Sequence, residues 1–120
     1  MIKIKIGEQK PINYSIREKT TGLPVSLVGS TIIFQLKETE NQLSDFLLEK
    51  IITEISDPYD TGLIYSPSEG RFSVFIKSED TISLNINKDY YYTIWKIQGQ
   101  NKEVISASGL KVEEFKVCPA

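Results

Sequence analysis

Tyr90-Tyr91-Tyr92-Thr93-Ile94-Trp95-Lys96-Ile97 has the residue types of a β-strand, and both of its faces are apolar. Alternation puts Tyr90, Tyr92 and Ile94 on one side and Tyr91, Thr93, Trp95 and Ile97 on the other. A strand of a small sandwich ordinarily buries one face and wets the other. A strand with two apolar faces in a chain of 120 residues needs a cover for the second. That cover is either another part of the chain or another molecule.

The segments around it are also short and β-like. Ile2, Ile4 and Ile6 alternate with lysines. Gly7 and Pro11 interrupt the alternation, and Ile12, Tyr14 and Ile16 resume it as a second short strand or a bent continuation. Residues 19–24 carry turn chemistry around Gly22. Thr31 to Lys37 reads as a strand with Ile32, Phe34 and Leu36 on one face. Glu38 to Asp45 is polar and reads as a loop with room for a helical turn. Phe46 to Ile55 fits a helical stripe at three- and four-residue spacing, yet its β-branched content and β surroundings favour strand. Turns at 57–62 and 66–70 bracket Leu63-Ile64-Tyr65, and Arg71 to Ile76 follows as a strand with Phe72, Val74 and Ile76 inward. Ser78 to Leu84 reads as one helical turn capped by Ser78, with Ile82 and Leu84 plugging the sandwich end. Gly99-Gln100-Asn101 is a hairpin turn. Val104-Ile105 opens another strand, and residues 109–117 close the chain, with Leu110 and Val112 on one face. About seven to nine short strands with little helix predict one antiparallel β-sandwich or barrel over residues 1–120.

Composition narrows the function. Hydrophobic residues make up 40% and charged residues 25%, as in an ordinary soluble globule. The 14 basic and 16 acidic side chains are scattered and the net charge is −2. No basic stripe suits a phosphate backbone, so nucleic acid is not an expected partner. Histidine is absent, which removes the commonest general base and metal ligand and every Ser-His-Asp or Cys-His arrangement. The lone Cys118 has no partner for an internal disulfide and reads as an inert tail residue. The alternating N-terminus is not the continuous apolar stretch of a signal peptide, and no stretch is long enough to span a membrane. Synthesis in a cytoplasm and no membrane partner are the expectation.

Three acidic groupings are candidates for chemistry. Glu54, Asp57 and Asp60 offer calcium-type oxygen ligands, but their spacing is not that of an EF-hand and Asp57-Pro58 is ordinary turn initiation. Glu79 and Asp80 are adjacent on one turn and do not face each other, and acids at a helix start are favoured electrostatically. Glu113 and Glu114 point to opposite faces of a strand. The expectation is therefore no catalytic residue, no cofactor and no metal. Asn13-Tyr14-Ser15 matches a glycosylation pattern too short to carry weight without a secretory signal. The aromatic cluster has three readings: a core covered by loops or the N-terminal strand, a protein interface, or a carbohydrate-binding or adhesion platform that stacks sugars. The candidate interface residues are Tyr91, Trp95 and Ile97, joined by Tyr59 and Tyr65 from the long 38–66 stretch.

The order of the motifs resembles the N-terminal immunoglobulin-like module of the baseplate upper protein family of tailed phages and prophages. The residues that carry it are Gly22-Leu23-Pro24-Val25, then Leu27-Val28-Gly29-Ser30-Thr31 leading into an alternating strand. Gly70-Arg71-Phe72-Ser73-Val74 follows, then Ser78-Glu79-Asp80-Thr81, Tyr90-Tyr91-Tyr92 and Gly109-Leu110-Lys111-Val112. The resemblance covers residues 10–117. Lys88-Asp89 stands where the family pattern has a glycine, and residues 38–66 form a longer stretch than the pattern has. The resemblance implies an immunoglobulin-like antiparallel β-sandwich. It implies a non-catalytic structural or assembly protein of a tail, baseplate or neck. Such a protein is made in a bacterial host cytoplasm, is assembled into the virion, and has other virion proteins or copies of itself as partners.

Overall fold

The computed structural model describes residues 2–39, 46–82, 84–86 and 88–113, with Val112 and Glu113 described by backbone alone. Eight strands are present: β1 (Ile2–Lys5), β2 (Lys10–Ser15), β3 (Thr31–Lys37), β4 (Leu48–Ile52), β5 (Gly62–Ser66), β6 (Arg71–Ile76), β7 (Asp89–Gln98) and β8 (Asn101–Glu113). A 3₁₀ turn (Pro67–Glu69) joins β5 to β6, and a five-residue helix, α1 (Ser78–Ile82), follows β6. Expectations for Glu40 to Asp45, Ser83, the side chain of Val112, Glu114 to Val117 and Cys118 lie outside the described residues.

The strands form two sheets, one of five in the order β1-β8-β7-β3-β4 and one of three in the order β2-β6-β5. Every pairing is antiparallel except β1 with β8, which is parallel. The order is that of an immunoglobulin-type sandwich. The last hairpin, β7–β8, lies beside β3, β4 extends that sheet as in variable-type domains, and β2, β6 and β5 form the opposing layer. The corner between β6 and β7 carries the tyrosine typical of such sandwiches. Tyr90, buried at the start of β7, accepts the backbone N–H of Asn85 through its hydroxyl at 2.8 Å.

Alternation explains the core. Ile32, Phe34 and Leu36 of β3 and Tyr90, Tyr92 and Ile94 of β7 point inward, with Leu110, Ile4 and Ile52 beside them. They meet Phe72, Val74 and Ile76 of β6 and Ile64 of β5. Ring stacking joins Phe34 to Tyr92 at 5.5 Å and Tyr14 to Phe72 at 5.1 Å. The glycine at 70 is needed for its backbone. Its φ is 70°, and a Cβ there would come within 2.6 Å of the Val25 carbonyl oxygen and 2.7 Å of that of Ile16.

Several expectations are resolved or corrected. Phe46–Ile55 contains a strand, β4, because its residues pair along β3 from Leu36 to Ile32. The first two strands are separate and lie in different sheets, with the chain crossing at Gly7. Residues from 101 to 113 form one continuous strand rather than two. Ile82 does not plug the sandwich end. It is 66% exposed, while Thr81 is buried and accepts the Gly7 N–H at 2.9 Å, and Leu84 packs partly on the core. The side chain seen bonding at the start of α1 is that of Asp80, which accepts the Lys77 N–H at 2.8 Å, where the sequence pointed to Ser78.

Candidate functional site

The side of the five-stranded sheet turned away from the core is built around Tyr91, Thr93, Trp95 and Ile97 of β7. Antiparallel pairing sets Tyr91 opposite Lys37 and Gly109, Thr93 opposite Gln35 and Ala107, Trp95 opposite Ile33 and Val104, and Ile97 opposite Thr31 and Lys102. Ile33 in turn stands opposite Ile51 of β4, so Ile51, Ile33 and Trp95 make an apolar row across three strands. Thr93 is buried, Tyr91, Trp95, Ile97 and Ile33 are half-buried, and Ile51 is exposed.

Polar bonds hold the tryptophan in place. Its Nε1–H donates to Gln35 Oε1 at 3.2 Å, and Gln35 Nε2 donates to Glu49 Oε2 at 2.8 Å. The Lys102 ammonium lies 4.5 Å from the centre of the indole ring, a cation–π distance. Ile94 pairs with Ser106 and Trp95 with Val104, so Ile105 is an extra residue in β8 and the strand bulges beside the indole. Towards the other end of the face, the small residues Ala107 and Gly109 leave a shallow depression of about 320 Å³ beside Tyr91 and Thr93. Lys37 is buried at that end, and burial, then the charge of Lys102, lowers its pKa from the ordinary value.

The five candidate interface residues do not form one surface. Tyr91, Trp95 and Ile97 share the face just described. Tyr65 leaves β5 opposite the buried Ile64 and is 49% exposed on the outer side of the three-stranded sheet. Tyr59, 77% exposed, packs edge-on against Phe75 at 6.0 Å, and Phe75 is on the outward side of β6. The long 38–66 stretch therefore does not lay its described part over Trp95. Residues 48–52 extend the same sheet at its edge, and residues 62–66 join the opposite one.

The acidic groupings have separate partners. Asp57 Oδ1 accepts the Tyr59 N–H at 2.9 Å, Asp60 pairs with Lys77 at 2.7 Å, and Glu54 accepts the Gly29 N–H at 3.3 Å. Lys77, bonded by Asp60 and then Glu79, has its pKa raised, and its hydrogen bond, then its charge, lowers that of Asp60. Asp80 forms a buried ion pair with Lys50 at 2.7 Å, with side chains 8% and 4% exposed. Lys50 also donates to the Asp60 carbonyl at 2.9 Å. Among the described residues no cluster of three histidine, cysteine, aspartate or glutamate side chains is placed to hold a metal ion. No described helix is long and apolar enough to cross a membrane.

Gln35, Ile33, Ile51 and Lys102 belong to the site and were not singled out from sequence. The first two are legible in the alternation of β3, since an inward Phe34 sends its neighbours outward. Lys102 and Ile51 depend on strand pairing, which alternation within one strand does not reveal. Comparison with protein-family models and with curated proteins finds no match for the sequence.

Proposed function

We propose that this chain is a non-catalytic assembly module that binds protein through the outer face of its five-stranded sheet. The observation that carries the reading is Trp95: a half-buried indole on an outward face, pinned by Gln35 and with the Lys102 ammonium over its ring. Tryptophan and tyrosine held in one rotamer supply large contact area at small entropic cost, which is why they concentrate in binding hot spots. The proposed setting is a phage or prophage particle, in its tail, baseplate or neck. Its support is the motif order along residues 10–117. The subunit is made in the host cytoplasm and built into the virion, with copies of itself or other virion proteins as partners.

A sugar platform finds less support. The tyrosines that would widen it, Tyr59 and Tyr65, are on the opposite side of the sandwich from Trp95.

Sedimentation velocity across a concentration range tests the self-association arm. Trp95→Ala is expected to weaken association by about thirtyfold, the size of a hot-spot loss of about 2 kcal/mol. Its melting temperature should change little by comparison. If the purified monomer instead loses about 3–5 kcal/mol of stability, the cost of a truncated core aromatic, Trp95 is a core residue and the reading at that face is wrong.

A further inference from the structure

The sandwich presents an aromatic patch on each of its two outer faces, and the two differ in charge. On the five-stranded sheet, the Lys102 ammonium lies on the Trp95 ring at 4.5 Å, and Lys3 and Lys111 stand on the same side. Of the acids with described side chains there, Glu49 is bonded to Gln35 and Asp89 is opposite Lys111. On the three-stranded sheet, Tyr59 rests on Phe75 among Asp57, Asp60 and Glu79; Lys77 pairs with the last two, and the exposed charge around the ring is in acidic excess.

We propose that copies of this chain associate head to tail, the Trp95 patch of one copy seating on the Tyr59–Phe75 patch of the next. Two like faces brought together would set Lys102 near its own copy on one side, or the carboxylates near theirs on the other. Unlike faces set an ammonium against carboxylates and bury both aromatic patches together. The outer faces of a sandwich point in opposite directions, so the contact uses two different surfaces of each copy. Such a contact does not stop at two copies: it closes into a ring if the rotation between neighbours allows, and otherwise runs on as a filament. The inference rests on the assembly reading of the Trp95 face and adds the identity of what covers it.

The test mixes two variants of the full chain, Trp95→Ala and Tyr59→Ala. Sedimentation of the wild type is expected to show species larger than a dimer. Each variant alone should be monomeric, and an equimolar mixture should give a dimer and nothing larger, because each copy keeps one intact patch. Thermal melts of each variant establish that it is folded. If Trp95→Ala is not, Lys102→Glu, an exposed side chain, replaces it. Assembly of Tyr59→Ala like the wild type, together with a monomeric Trp95→Ala, overturns the head-to-tail contact and leaves the assembly reading standing. Wild-type-like assembly of Trp95→Ala and Lys102→Glu overturns both, whereas a wild type that is monomeric at every concentration overturns the head-to-tail contact and the self-association arm alone.

Discussion

Tyr14 shows how a single side chain carries both a packing role and a liability. Its ring stacks on Phe72, while its hydroxyl is buried with no bond of good geometry among the described residues. Burial first, and then the neighbouring Tyr92 hydroxyl, push its pKa well above the ordinary 10.0. The unfolded chain ionises this tyrosine at the ordinary value and the folded chain does not. The folded state therefore keeps its full stability below about pH 10 and loses it as the pH climbs beyond. Urea midpoints measured from neutral to alkaline pH should be flat and then fall, and Tyr14→Phe should make that fall shallower. Equal slopes in the two proteins would show that Tyr14 is not the group responsible. At neutral pH the same variant should cost little, because it removes a buried hydroxyl that makes no well-formed bond among the described residues.

At the scale of the element, the junction between β4 and α1 contains a buried ion pair. Lys50 points inward from β4 because it is paired with Phe34, an inward residue. Its ammonium meets Asp80 of α1, whose carboxylate also takes the Lys77 N–H. Removing one member of a buried pair leaves the other uncompensated, at a cost of about 3–5 kcal/mol. Lys50→Met and Asp80→Ala should each lose that much in chemical denaturation, and Lys50→Met combined with Asp80→Leu should lose less than either alone. Losses below about 1 kcal/mol for the single variants would mean the pair is hydrated and worth what a surface ion pair is worth. This junction was not legible beforehand. Glu79 and Asp80 read as favourable charge at a helix start, and nothing local to them indicates a lysine thirty residues earlier. The strand assignment of β4 was legible through its β-branched residues and its β surroundings, although Phe46 to Ile55 also fits a helical stripe.

For the whole molecule, the two sheets share one core cluster running from Ile4 to Leu110. That predicts a single cooperative transition. Trp95, the only tryptophan, reports the five-stranded sheet, whereas far-UV circular dichroism reports both sheets. Thermal melts followed by the two signals should coincide, and separated midpoints would show that the sheets unfold independently. The inward face of β7 was readable directly, since Tyr90, Tyr92 and Ile94 alternate with residues of the other face. What stands over that other face was not. Tyr59 and Tyr65 were grouped with Trp95 because they are aromatic, but Tyr65 is on β5 of the opposite sheet and Tyr59 packs against Phe75 of β6 in that same sheet.

Sequence alone determined the β class and most of the strands, the inward residues of β3, β6 and β7, and the existence of a second apolar face on β7. These follow from period-two alternation and turn chemistry, which act over a few residues. Tertiary structure alone decided which strands are neighbours, and with that the Trp95–Gln35–Glu49 chain, the Lys102 contact, the Lys50–Asp80 pair and the split of the aromatics between two faces. Those depend on pairings between segments far apart along the chain, and the pattern within a single strand does not encode its neighbour.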